Sequence, residues 1–103
     1  MRECKLILPK HDNDGRVLGA AHADLCRALL DSIGGYTCIH GAGAWRNPET
    51  GRVFNEEVVT YVVAVDPQTD HVEFLRALAA AFKVDAQREA VYFVGPDGGV
   101  EFL

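Results

Sequence analysis

Between Gly34 and Glu57 the chain reads GGYTCIHGAGAWRNPETGRVFNEE, and residue types able to hold a ligand are densest there. Gly41 and Gly43 lack a Cβ, so the backbone can approach a ligand closely or take dihedrals closed to other residues. Trp45, the one tryptophan, offers a flat face for stacking or packing. Arg46 and Arg52 carry guanidinium forks suited to an anion. Glu56 and Glu57 are adjacent carboxylates, but neighbours on a strand point to opposite faces and do not pair simply. One of them can instead close the segment against Arg46 or Arg52. A purely structural reading makes Gly41-Ala42-Gly43 a bulge and sets Trp45 over a sheet edge.

Other reactive residues are scattered. Asp12, Asp14 and Gly15 open like a calcium loop, but the later oxygen ligands and the closing glutamate are missing, so an Asx-rich turn is expected. His11, His22, His40 and His71 share no ligand spacing. Cys38 and His40 lie two apart, which on a strand gives a shared face rather than a nucleophile–base pair. Cys4, Cys26 and Cys38 are odd in number and form no CxxC, which points to buried, unreactive thiols in a reducing compartment. No catalytic residue, metal set or cofactor motif emerges, and none is expected.

The elements that must position these residues follow from periodicity. Glu3–Leu8 alternates as a strand with Cys4, Leu6 and Leu8 on one face, and Pro9 ends it. Leu18, Ala21, Leu25, Leu29 and Ile33 form a helical stripe that Gly34 and Gly35 stop. Residues 36–40 read as a second strand, followed by a long polar connection from Gly41 to Glu57. Val58–Val65 is a third strand, apolar on both faces. A second helix starts at Asp70, with Glu73 completing a capping box and Val72, Leu75, Ala79 and Phe82 facing inward. Residues 90–94 form a fourth strand, and Gly95-Pro96-Asp97-Gly98-Gly99 turns into a short last one at 100–103. This order predicts one α+β domain over residues 1–103, a ferredoxin-like βαββαβ sandwich with both helices on one face of an antiparallel sheet.

At 103 residues and 49% hydrophobic, the chain suits one core and is too apolar to be disordered. Ten Lys and Arg against fifteen Asp and Glu give a net charge of −5, which repels phosphate backbones and argues against nucleic acid. The stretch MRECKLILPKHD is too short and polar for a signal peptide, and no stretch approaches spanning length, so a cytoplasmic protein without membrane contact is expected.

The run LLDSIGGYTCIHGAGAW, then a loop, then EEVVTYVVAVD and a capped helix resembles the PII-like and CutA-like superfamily of ferredoxin-like trimers. Gly35 and Thr37 match the Gly-x-Thr entry to strand two of PII-like members, and Gly41 and Gly43 the Gly-x-Gly near its end. Trp45, Gly51 and Glu56 or Glu57 match the tryptophan, glycine and acid of CutA-like ones. PII-like nucleotide sites use a glycine-rich basic turn before strand four, where this chain has DAQREA at 85–90, leaving Arg88 to meet a phosphate.

The resemblance implies a non-enzymatic, oligomeric regulatory protein that binds a small molecule or a protein through the 41–57 segment and clefts between subunits. Gly41, Gly43, Trp45, Arg46, Glu57 and Arg88 are its candidate ligand-binding residues. The two apolar faces of Val58–Val65 predict association with copies of itself, a trimer ahead of a dimer. A small ferredoxin-like dimeric enzyme with a pocket on the sheet face is the first alternative. A compact acidic inhibitor or regulator from a mobile element, blocking a partner protein, is the second.

Overall fold

Alternation in RECKLILP makes β1 (Arg2–Pro9), the central strand of the computed structural model, which describes residues 1–103. Cys4, Leu6 and Leu8 are fully buried, and Lys5 and Ile7 are half-buried on the opposite face. The helical stripe forms α1 (Gly19–Ser32), with Leu25 and Leu29 in the core. Its end is a glycine stop as expected. Gly34 has φ +105°, a left-handed region that favours glycine, and its N–H and that of Ile33 both donate to Leu29 O at 3.0 Å.

The long polar connection after residue 40 is not a loop. β2 (Thr37–Arg46) and β3 (Val53–Val65) pair in register from Thr37↔Val62 to Arg46↔Val53, so most of Gly41–Glu57 is a hairpin ladder. Only six residues turn. Asn47 N–H donates to Arg52 O at 2.8 Å, Asn47 Oδ1 accepts from Glu49 N–H at 2.8 Å, and Gly51 takes φ +74°. The outer half of this hairpin carries no strand signal in the sequence, because Gly-Ala-Gly-Ala has low strand propensity and its solvated faces show no apolar alternation. Neither Gly41 nor Gly43 has a positive φ, and Gly43 pairs in register with Glu56, so no bulge forms there.

α2 (His71–Asp85) buries Leu75, Ala79 and Phe82 as the stripe predicts. Its start differs. Asp70 makes no side-chain cap; the Asp66–Thr69 turn intervenes, and Thr69 Oγ1 accepts from His71 N–H at 3.2 Å. β4 (Tyr92–Val94) and β5 (Val100–Phe102) follow, each shorter than the sequence implies.

The sheet is antiparallel with order β2-β3-β1-β4-β5, a ferredoxin-like α+β arrangement with β5 added beside β4. Cys4, Leu6, Leu8, Val59, Tyr61, Val63, Val65 and Phe93 face the helices and join their stripes in one core. The opposite face is uncovered. One row across it reads Ile39, Thr60, Ile7, Tyr92 and Phe102, and the next reads Thr37, Val62, Lys5, Val94 and Val100. No helix is long and apolar enough to cross a membrane.

Candidate functional site

β1 ends at Pro9, opposite Val58, whereas β3 continues outward from there as one arm of the hairpin. Beyond Pro9 the edge of β3 is therefore free of a strand neighbour. Two loops fill part of the gap. The first, after β1, is fixed by Lys10 N–H donating to Glu57 O at 3.0 Å and by Asp12 Oδ1 accepting from Asp14 and Arg16 N–H, both at 2.9 Å. This is the Asx turn expected in place of a calcium loop. The second is the corner after α2, where Gln87 adopts φ +59° and its carbonyl accepts from Asn13 Nδ2 at 2.7 Å.

A cleft of about 720 Å³ remains between these loops and the hairpin. Trp45 and Phe54 form one wall, their rings stacked at 4.6 Å between centroids and 14° apart. Arg52 lies over Phe54 at 4.7 Å. Trp45 remains 47% exposed, so the pair leaves aromatic surface open to a ligand. Glu56, Glu57 and Asp12 supply carboxylates, and Arg88 is the one Lys or Arg in the lining.

Arg88 is tied in place. Its Nη2 lies 2.9 Å from Glu56 Oε2 and donates to His11 O at 3.3 Å, while its buried Nε has no acceptor. Glu57 is exposed, and its Oε2 lies 3.9 Å from the His11 ring at Nδ1. Glu56 and Glu57 stand on opposite faces of β3, as neighbours must. They share the cleft all the same, because a cleft against an open strand edge meets side chains from both faces.

Of the six expected residues, Trp45, Glu57 and Arg88 come together here. Gly41, Gly43 and Arg46 do not line the cleft. The two glycines stand on the uncovered sheet face, where a Cβ at Gly41 would meet nothing within 4 Å. Arg46 donates to Gly51 O at 3.0 Å and braces the hairpin turn. Glu56, which the sequence offers as the alternative to Glu57, and His11, which stands outside the six, also line the cleft. No periodicity could have found His11, since its place depends on the corner after α2 folding back across 77 residues.

A second polar cluster lies under α1. His22 Nε2–H donates to Pro9 O at 2.9 Å, which leaves Nδ1 to accept from the Tyr61 hydroxyl at 2.7 Å. Cys26 Sγ–H donates to the same hydroxyl at 3.7 Å. Burial holds the His22 imidazole below its usual range, and burial followed by the Cys26 hydrogen bond pushes the Tyr61 phenol up. A neutral histidine and a protonated tyrosine make this a fixed structural network. Another cleft, of about 580 Å³, lies by Arg2, Tyr36 and Thr37 at the opposite end of β1.

No protein-family model matches the chain, and no curated protein matches it in sequence. Two solved structures share the fold. Phage SAM lyase in complex with S-methyl-5'-thioadenosine matches with a TM-score of 0.74 at 12% identity, covering 98% of this chain and 87% of the other. The same kind of enzyme in its apo state matches with a TM-score of 0.70 at 14% identity, over 98% and 86%. These likenesses bear on the fold, and they correct one expectation. Both of these solved structures are of an enzyme, and they overturn the reading as a non-enzymatic PII-like regulator. The resemblance to PII-like and CutA-like proteins holds for the ferredoxin-like fold and goes no further.

Proposed function

We propose that this chain is a SAM-lyase-like enzyme whose cleft between the hairpin and the 10–13 loop binds S-adenosylmethionine. The observation that carries the reading is the meeting of an exposed Trp45 ring with the carboxylates of Glu56 and Glu57 in one cleft. A purine stacks on an indole face, and a sulfonium cation is favoured both by aromatic faces and by carboxylates. The net charge of −5 adds a field that draws a cationic substrate. The fold shared with phage SAM lyase supports the same reading.

As the carbon–sulfur bond of the sulfonium breaks, its electron pair returns to sulfur and the carbon bonds to the substrate's own carboxylate oxygen, closing a lactone, so the cation becomes a neutral thioether. Glu57 and Trp45 hold the cation before that step, and their hold weakens once its charge is lost, which favours release of S-methyl-5'-thioadenosine. Three free thiols, Cys4, Cys26 and Cys38, support a cytoplasmic setting. The uncovered sheet face supports a homo-oligomer. Incubating purified protein with S-adenosylmethionine and following S-methyl-5'-thioadenosine by chromatography tests the reading. The thioether should accumulate, and Glu57→Gln should raise the half-saturating substrate concentration by roughly tenfold. Substrate left intact by wild-type protein would overturn the assignment.

A further inference from the structure

Cations and anions are not evenly mixed in the cleft. Its lining holds three carboxylates, Asp12, Glu56 and Glu57, and a single guanidinium, Arg88. A site meant only for a cation has no use for that guanidinium, which would repel the ligand. The fork is also incompletely used. Nη2 meets Glu56 Oε2 at 2.9 Å and His11 O at 3.3 Å, whereas Nε is buried with no acceptor. An arginine matches a carboxylate best through two parallel N–H donors, and Glu56 leaves Nε unmet.

We infer that Arg88 anchors the α-carboxylate of an amino-acid-bearing sulfonium in this cleft, Glu56 holding its place while the cleft is empty. The inference rests on the function proposed above and narrows its substrate class. At neutral pH S-adenosylmethionine carries two positive groups and one negative, the inverse of a wall with several carboxylates and one guanidinium. On entry, the ligand carboxylate takes Nη2 and Nε together. Glu56, which is about one-third exposed at its side chain, is released toward the ligand's ammonium group. The His11 carbonyl keeps the guanidinium in place throughout.

Three ligands separate this from simple charge attraction: S-adenosylmethionine, its decarboxylated form, and S-methyl-5'-thioadenosine. Charge alone makes an acidic cleft prefer the decarboxylated form, which has two positive groups and no negative one. Calorimetric titration of wild-type protein should instead favour S-adenosylmethionine over the decarboxylated form by roughly tenfold or more. Arg88→Met should reverse that order while leaving affinity for the thioether, which has no carboxylate, nearly unchanged. Wild-type protein that binds the decarboxylated form as tightly overturns the anchor, and this comparison stands even if the variant fails to fold. A variant that loses affinity for all three ligands equally makes Arg88 a structural brace and also overturns it. If only the thioether binds wild-type protein, the anchor falls while the cleft remains a nucleoside site. If none binds, the proposed function falls and the anchor with it.

Discussion

His22 is held neutral between two partners that fix its tautomer: a proline carbonyl that can only accept and a tyrosine hydroxyl that donates in return. Its folded-state pKa lies below the ordinary imidazole value of 6.5 because burial disfavours the charged ring. Below that value the unfolded chain takes up a proton that the folded one resists, so stability falls with falling pH. Urea unfolding at pH 7.5 and 5.5 should show this loss, and His22→Gln should show less of it. An equal loss in both proteins would mean that other groups carry the acid sensitivity. At this scale the sequence was legible only in part. His22 directly follows Ala21 of the α1 stripe, but its partners, Tyr61 and Pro9, lie on two strands, 39 and 13 residues away.

Elements were easier to read where a buried stripe or a glycine stop marked them, and harder where local chemistry alone decided. β1, α1 and α2 follow directly from their apolar positions. The hairpin of β2 and β3 runs longer than its sequence signals, because its outer half buries neither face and its small residues resemble a linker. The start of α2 shows the same limit: Asp70 and Glu73 have the spacing of a capping box, yet the preceding Asp66–Thr69 turn puts Thr69 Oγ1 within reach of the first helical N–H. Thr69→Ala should therefore cost about 1 kcal/mol in urea unfolding, the usual worth of a side-chain cap, and Asp70→Ala distinctly less. The opposite order would restore Asp70 as the cap.

The whole molecule presents an apolar sheet face with no layer over it. Ile39 is 55% exposed and Phe102 72%, with Tyr92 and Ile7 between them in one row. An antiparallel sheet that faced only water would place polar residues there. A second copy of the chain is the simplest cover, and sedimentation equilibrium at micromolar concentration should give a multiple of 11.2 kDa. A single species of 11.2 kDa would mean that the face stays open. The site itself was half legible. Trp45, Glu57 and Arg88 stood out by residue type, but the cleft exists only because β1 stops at Pro9 while β3 runs on, which is a property of the assembled sheet. That cleft is the centre of the account, and the chain's one tryptophan lines it. The most direct test is a titration of Trp45 fluorescence, excited beyond the adenine absorption, with S-methyl-5'-thioadenosine and with S-adenosylmethionine. The account predicts a saturable change with both ligands that Glu57→Gln weakens for the sulfonium alone. Binding seen by calorimetry with no change in Trp45 emission would put the ligand elsewhere, such as the cleft beside Tyr36, and would contradict it.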